Sequence, residues 1–401
     1  MDFFEKFWLK KAAAALRLPE NAEPAVVLEK TRPAVAALSD LFTTERPSDG
    51  RFRDYMSDPA ALAAYGLFFF PQSAARAEFT LRRLFGIYAR KPAPGTEPLR
   101  VLDLGSGAAP CGFSAVKILA EIFPEREIAL TVFDRSRAAL EAARELAVAA
   151  ASEKIFPAKI AFSALHGDLK NFARETENSL PPQDLILLGW SLNEAVPAPA
   201  DAVPFLKTLA PVLAKNGAIV ALEPALKITA ERLQRASDFF ATQGRGAPFF
   251  RLAPELGEHA CPLLCEGVFW NHDVRAWTPP ETLEFLNRTL FREISALKFS
   301  WCALGKTPGK IFSVPDGATE IVRLVSPLEA TKSCLRFVGV TPRGEKISVE
   351  IPTRGLSKNA VKKIAASRER GDIVALSGTL SPLGGTPGHF RLDGTLETPN
   401  F

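Results

Sequence analysis

The chain has 401 residues, of which 47% are hydrophobic and 23% charged, and a formal net charge of +4. This composition is typical of an ordinary globular protein with room for two or three domains. No apolar run reaches the roughly 18 residues that span a bilayer, so no membrane partner is expected. Five cysteines, an odd number, do not indicate a disulfide framework, and a reducing cytoplasm is the expected compartment.

Residues 1–95 are predicted to be helical, because apolar residues recur there at helical spacing. A turn is predicted at 47–50, where Pro, Ser, Asp and Gly follow one another. The segment 64–77, with the sequence AYGLFFFPQSAARA, is unusually aromatic and then becomes basic. It predicts either a helical cap that packs over a sheet or a lid that shapes the substrate entrance.

The most informative stretch is 99–115, with the sequence LRVLDLGSGAAPCGFSA. Its first residues predict the buried first strand of a parallel sheet, ending near Asp103. Gly105 and Gly107 follow, and a residue without a Cβ lets the backbone turn sharply and approach a ligand. A helix is predicted after Pro110, so that its N-terminus faces the crevice above the strands. The third glycine of the dinucleotide pattern is absent, and this turn alone is weak evidence for a nucleotide site.

Strands and helices alternate after this turn. Further strands are predicted at 128–133, 160–165, 184–188 and 218–222, and helices at 137–152 and 202–214. This alternation predicts an α/β fold with a doubly wound parallel sheet, in which ligands bind at the carboxyl ends of the strands.

Acidic residues stand at the ends of the first three strands. A carboxylate about 30 residues after a glycine turn is placed to accept hydrogen bonds from a ribose diol, and one after the third strand can accept from the amine of adenine. This arrangement suits S-adenosylmethionine, and residues 99–225 resemble the class I methyltransferase family. An NAD-binding protein is the alternative. The predicted cofactor-binding residues are Asp103, Gly105, Ser106, Gly107, Asp134, Asp168, Leu169, Ser191 and Asn193.

The segment after the fourth predicted strand carries Ser191, Asn193 and Glu194. Enzymes that methylate amino groups usually have Asn or Asp followed by Pro-Pro and an aromatic residue here, and those that methylate carbon 5 of pyrimidines have a cysteine. The sequence has neither pattern. Asn193 and Glu194 are interpreted either as contacts to cofactor or substrate or as helix-capping residues. No catalytic residue is predicted.

Histidine and cysteine are concentrated in the segment 258–273, which holds two of each. The spacing His-x-Cys-x3-Cys-x6-His offers four ligands for a tetrahedral zinc ion, namely His259, Cys261, Cys265 and His272. One alternative is a loop with two buried thiols and two surface imidazoles. Another is an iron–sulfur cluster that also uses Cys302 and Cys334.

Residues 315–401 are predicted to form five short strands and one basic helix at 358–370. This pattern indicates a small barrel of the oligonucleotide-binding type. Its basic residues predict either a stripe that faces phosphate or a solvated helix face: Lys358, Lys362, Lys363, Arg368 and Arg370. The chain is thus divided into a helical region (1–95), an S-adenosylmethionine-binding domain with a Cys/His loop at 252–275 (96–314), and a β-rich domain (315–401).

Three segments carry a closer resemblance, with the sequences LAPELGEHACPL (252–263), FWNH (269–272) and LKFSW (297–301). Residues 99–345 are similar to the mitochondrial-type ribosomal small-subunit methyltransferase-like family, which also has bacterial members. That resemblance implies a class I core, a cysteine loop, a β-rich C-terminal part and association with the small ribosomal subunit. It also implies an iron–sulfur cluster, for which Cys261 matches one ligand, whereas Glu255 and Asn271 stand where two other cysteines would be.

These observations together favour an S-adenosylmethionine-binding protein that acts on or with the RNA of the small ribosomal subunit. Slightly basic flanks on both sides of the central part suit a protein held against a phosphate backbone. The competing hypotheses are a non-catalytic ribosome assembly factor that uses the fold as a binding module, and a methyltransferase for a small molecule.

Overall fold

The computed structural model describes residues 1–43, 45, 47, 54–175, 179–196, 198–243, 246–267 and 269–399. Most of the turn predicted at 47–50 lies outside these residues. The helices are α1 (Phe3–Ala15), α2 (Pro24–Phe42), α3 (Pro59–Ala64), α4 (Phe70–Gly86), α5 (Pro110–Ile122), α6 (Arg137–Ser152), α7 (Phe172–Glu175), α8 (Leu192–Ala195), α9 (Ala202–Thr208), α10 (Lys227–Thr242), α11 (Leu263–Glu266), α12 (Glu281–Thr289) and α13 (Lys358–Ala366). The strands are β1 (Leu99–Leu104), β2 (Ile128–Asp134), β3 (Ile160–His166), β4 (Gln183–Gly189), β5 (Leu213–Pro224), β6 (Phe250–Ala253), β7 (Asp273–Ala276), β8 (Ala296–Gly305), β9 (Glu320–Leu324), β10 (Glu329–Ala330), β11 (Cys334–Val340), β12 (Lys346–Pro352), β13 (Ile373–Pro382) and β14 (His389–Glu397).

The chain forms two compact units. The first unit comprises residues 1–86, 91–222 and 277–295, and the second comprises 87–90, 223–276 and 296–401. Both units are therefore assembled from separate stretches of sequence. The division into three consecutive domains remains a prediction.

A parallel sheet forms the centre of the first unit, with the strand order β3-β2-β1-β4-β5. The apolar runs of β1 and β4 are buried on both faces, as the pattern of the sequence predicts; Val101, Leu102, Ile186 and Leu187 are all fully inaccessible to water. Strands are added in opposite directions from β1, so the switch point of this sheet lies between β1 and β4.

Capping interactions fix where the helices of the first unit begin. Asp2 and Glu5 form a capping box at α1, and Ser136 accepts the backbone N–H of Ala139 at α6. Trp8 of α1 is buried against Gly66, where an added Cβ would lie 2.0 Å from the indole ring. Only glycine allows this close approach, so α1 is held against the π-helical segment Tyr65–Phe69 that precedes α4.

A closed five-stranded barrel lies in the second unit, and it confirms the predicted β-rich C-terminal part. Its strands pair in the order β9-β11-β12-β14-β13, and β13 returns to β9. Strands β12 and β14 are parallel, and α13 connects β12 to β13. Inward side chains alternate with outward ones along β12, where Ile347, Val349 and Ile351 are buried. In the same unit, β6 and β7 each pair antiparallel with β8.

The basic helix is shorter than predicted, and one residue of the predicted phosphate-facing stripe is used elsewhere. Helix α13 ends at Ala366 rather than at residue 370. Arg370 is partly buried, and its guanidinium donates to the backbone carbonyls of Trp270 and His272. It therefore does not belong to an exposed stripe. Lys358, Lys362 and Lys363 are exposed.

All five cysteines lie in the described residues, and none of them forms a disulfide. Within the described residues, none of the helices combines the length and the apolarity that crossing a membrane requires.

Candidate functional site

The turn after β1 has the backbone conformation that its glycines predict. Gly105 and Gly107 have φ values of 66° and 54°, in the left-handed region. Ala109 adopts φ 63° although it carries a Cβ. Ala109 directly precedes Pro110, which stands where the third glycine of the pattern would fall, and such backbone strain is common at binding sites.

Asp134, the last residue of β2, holds this turn in place. One of its carboxylate oxygens accepts the backbone N–H of Gly107 at 2.8 Å, and the other accepts that of Ser136 at 2.8 Å. Burial raises the pKa of Asp134, and the two backbone hydrogen bonds oppose this effect. The turn and the acidic residue that the sequence placed at neighbouring strand ends are therefore in direct contact.

Asp103 is the penultimate residue of β1 and precedes the glycine turn by two residues. It is 1% exposed, and its carboxylate accepts the backbone N–H of Gly112, in the first turn of α5, at 2.8 Å. Burial raises the pKa of Asp103 to about 7, and the nearby charge of Asp134 adds to the increase. Asp103 is consequently close to half-protonated at neutral pH.

Three further predicted residues reach the same edge of the sheet. Ser191 donates its hydroxyl to the carbonyl of Leu104 at 2.7 Å, which joins the end of β4 to the end of β1. A Cβ added to Gly105 would lie 2.4 Å from Ser191 Cβ and 3.6 Å from Leu169 Cδ2. Ser106 is buried within the turn.

The other two predicted residues make local contacts. Asn193 is buried, and its amide donates to the carbonyl of Trp190 at 2.8 Å. Asp168 is exposed, and its carboxylate accepts the backbone N–H of Lys170 at 3.0 Å. Its role toward an adenine amine stays a prediction.

Three residues from the N-terminal part lie beside the glycine turn and were not predicted. A Cβ added to Gly107 would lie 3.1 Å from Met56 Cε and 3.7 Å from Tyr65 Oη. Burial raises the pKa of Tyr55 and of Tyr65 well above the ordinary value, and nearby carboxylates, Glu194 among them, add to the increase. Tyr65 begins the π-helical segment, a conformation frequent at functional sites. Of these three residues, only Tyr65 lies in the aromatic segment 64–77, for which the sequence predicted a cap or a lid.

Replacing Gly105 by alanine is expected to lower the free energy of unfolding by about 2–4 kcal/mol, because the left-handed φ and the contact with Ser191 both oppose a Cβ. Urea unfolding followed by circular dichroism measures the change. Gly86→Ala is the matched control, since a Cβ there meets no atom within 4 Å, and its effect is expected to stay within about 1 kcal/mol. Equal effects of the two substitutions would contradict this account of the turn.

The predicted zinc ligands of the second unit make separate contacts. Cys261 is 2% exposed, whereas Cys265 on α11 is exposed. The ring of His259 packs on Gly344, and burial lowers the pKa of His272 to about 4, with the charge of Arg370 adding to the decrease. In the described part of the chain, no three His, Cys, Asp or Glu residues are grouped so that they could hold a metal ion. The predicted zinc site therefore gains no support.

A buried hydrogen-bond network occupies the positions where the resemblance implies cluster cysteines. The amide of Asn271 donates to Glu255 and to Gln234, at 2.6 Å each, and its oxygen accepts from the guanidinium of Arg323. Burial and the charge of Glu255 raise the pKa of the Cys261 thiol, which disfavours the thiolate that metals bind. These residues do not fit a four-cysteine iron–sulfur cluster.

No model of a known protein family matches the sequence, and a search of curated proteins finds no match. Among solved structures, the chain is similar to a putative class I S-adenosylmethionine-dependent methyltransferase from Listeria monocytogenes, with 13% identity over 78% of this chain and 89% of that chain and a TM-score of 0.36. It is similar to TrmN from Thermus thermophilus (16% identity, 59% and 52% of the two chains, TM-score 0.31). It is also similar to an arsenic(III) S-adenosylmethionine methyltransferase from Chlamydomonas reinhardtii (19% identity, 59% and 72%, TM-score 0.29).

The chain spans about half the length of TrmN and of several other solved structures that it matches. Its own strand order, together with the glycine turn after β1 and the carboxylate at the end of β2, is the class I methyltransferase fold. The sequence prediction of this fold class is confirmed. Membership of the ribosomal small-subunit family stays a prediction.

Proposed function

We propose that this protein binds S-adenosylmethionine at the edge formed by the ends of β1, β2 and β4, and that it transfers the methyl group to RNA of the small ribosomal subunit. The contact between Gly107 and Asp134 is the observation that carries the proposal. It brings together a turn that a ligand can approach closely and a partly buried carboxylate that can accept hydrogen bonds from a ribose diol.

S-adenosylmethionine supplies an electrophilic methyl group, whose carbon bonds to a nucleophile while the carbon–sulfur bond breaks and the sulfur leaves as a thioether. The residues of the chain would contribute binding and orientation. Asp134 would hold the ribose, Asp168 the adenine amine, and the backbone at Gly105 and Gly107 would let the rest of the ligand lie against the turn. No residue is assigned as a general base.

The proposal for RNA rests on the second unit. The closed barrel, with a helix between its third and fourth strands, matches the arrangement of oligonucleotide-binding barrels. Lys358, Lys362 and Lys363 lie exposed on that helix, where they can contact phosphate.

A non-catalytic assembly factor is the second candidate, and the residues after β4 favour it. Ser191 is bonded to the carbonyl of Leu104, and the amide of Asn193 to that of Trp190. Both side chains thus form hydrogen bonds to the backbone of the protein. They lie in the segment where a methyltransferase contacts its methyl acceptor.

The test combines cofactor binding with methyl transfer. Binding of S-adenosylmethionine is measured by calorimetry for the wild type, Asp134→Ala and the control Asp184→Ala, whose carboxylate accepts a backbone N–H at the opposite end of β1. We expect Asp134→Ala to weaken binding about 100-fold and the control to leave it unchanged. Transfer of a radiolabelled methyl group is then measured with isolated small ribosomal subunits as acceptor.

Radiolabel that the wild type transfers to the RNA and that Asp134→Ala fails to transfer would support the methyltransferase hypothesis. Cofactor and RNA binding without transfer would favour the assembly factor, and the absence of cofactor binding would overturn the proposal. The RNA part is tested separately by changing Lys358, Lys362 and Lys363 together to Glu. Changing the exposed Lys6, Lys10 and Lys30 to Glu matches this change in charge and is expected to leave RNA affinity unaltered.

A further inference from the structure

One partly buried arginine of the first unit has no carboxylate partner among the residues that the structure describes. The guanidinium of Arg76, on α4, donates to Gln72 Oε1 at 3.4 Å, and its Nε is inaccessible to solvent and unbonded. Elsewhere in the chain, the buried Arg251, Arg275 and Arg323 each pair with an aspartate. Arg76 differs from these three arginines in lacking a carboxylate partner.

This guanidinium lies at the switch point of the sheet. Its central carbon is 5.7 Å from the centre of the Trp190 ring, and Trp190 directly follows β4 with a left-handed φ of 60°. Arg76 also interacts electrostatically with Cys111, the second residue of α5, which lies against Gly189 at the end of β4. The unpaired cation thus stands next to the two strand ends that Ser191 joins.

The missing partner has an energetic consequence. Burial lowers the pKa of Arg76 to about 10, so the side chain remains protonated at neutral pH. A charge that is largely withdrawn from water without a counter-charge is unfavourable, and an anionic group bound beside it would reduce this penalty.

We propose that Arg76 binds the carboxylate in the methionine part of S-adenosylmethionine. This inference rests on the proposed function. The sheet order β3-β2-β1-β4 sets the direction of the ligand, because Asp168 and Asp134 at β3 and β2 would hold its adenosine part. The amino-acid part then extends past the turn at β1 toward β4, where Trp190 and Arg76 lie. A planar guanidinium is suited to hold a carboxylate through two parallel hydrogen bonds.

Two ligands that differ only in the carboxylate test this contact. They are S-adenosylhomocysteine and its decarboxylated form, S-adenosyl-3-thiopropylamine, and their affinities are measured by calorimetry for the wild type, Arg76→Met, Arg76→Lys and Arg82→Met. Arg82 is the control, because it lies on the same helix, is exposed and pairs with Glu78 and Glu121. We expect the wild type and Arg82→Met to prefer the carboxylate-bearing ligand about 30-fold. The preference should shrink to near one in Arg76→Met and recover in part in Arg76→Lys.

A preference that persists in Arg76→Met would overturn the inference, as would a wild type that binds both ligands equally. The second result needs no variant, so it decides the matter even if Arg76→Met does not fold. Loss of RNA affinity in Arg76→Met with an unchanged ligand preference would assign the arginine to a substrate phosphate and would also overturn it. A wild type that binds neither ligand would instead refute the proposed cofactor site itself.

Discussion

Replacing Arg323 by methionine is expected to lower the free energy of unfolding of the second unit by about 3–5 kcal/mol. Arg323 of β9 is 1% exposed, and its guanidinium bonds to Asn271 and to Asp273, which is itself fully buried. Methionine fills much of the same volume but leaves the Asn271 oxygen without its donor and Asp273 with only one of its two guanidinium partners. The loss therefore comes from unpaired buried polar groups rather than from a cavity.

Urea unfolding, followed by the near-ultraviolet circular dichroism of the aromatic residues, measures this change. Arg343→Met is the control, because Arg343 lies in the loop between β11 and β12, is 63% exposed and pairs with Glu320 and Glu345. Its effect is expected to stay below about 1 kcal/mol. Adding Asp273→Asn to Arg323→Met should cost less than the sum of the two single changes, because the pair is coupled. Additive effects, or a loss as small as that of the control, would show that the network contributes little.

The stability of the first unit is expected to fall as the pH rises from about 4 to about 7, and Asp103 is the cause. Its carboxyl group ionises near pH 4 in the unfolded chain, but burial raises its pKa to about 7 in the folded protein. Between these values the folded state holds one proton more than the unfolded state, so raising the pH favours unfolding. Well above pH 7 both states are ionised and the loss is complete, at about 4 kcal/mol.

Asp103→Asn removes this dependence while it keeps an oxygen that can accept the N–H of Gly112. We expect it to match the wild type at pH 4 and to be more stable at pH 8. Asp184→Asn, which alters a carboxylate at the other end of the same pair of strands, is the matched control. The assignment to Asp103 would fail if the wild type and Asp103→Asn differed by the same amount from pH 4 to pH 8.

The parts of the fold that depend on local pattern could be predicted from the sequence. The apolar runs that form β1 and β4 are buried on both faces, and helix α6 begins and ends where the spacing of its residues predicted. Asp134 could be paired with the glycine turn because the ends of adjacent parallel strands must meet.

Contacts between distant stretches could not be predicted. Tyr55, Tyr65 and Arg76 approach the site from helices that come before the sheet in the chain, and helical periodicity does not tell which sheet edge a helix covers. The density of His and Cys in one loop suggested a metal, but spacing alone does not fix the direction of a side chain. Cys261 and His272 are instead buried in separate surroundings.

The second unit has a consequence for how the protein is made. Arg275 is synthesised 97 residues before Asp372, one of the carboxylates that it binds at 2.8 Å. At a translation rate of roughly 5–20 residues per second, Asp372 is synthesised about 5–20 s after Arg275. A nascent chain that has not reached the last two strands of the barrel therefore carries this arginine hydrated and incompletely paired, and the unit can close only when translation is nearly complete.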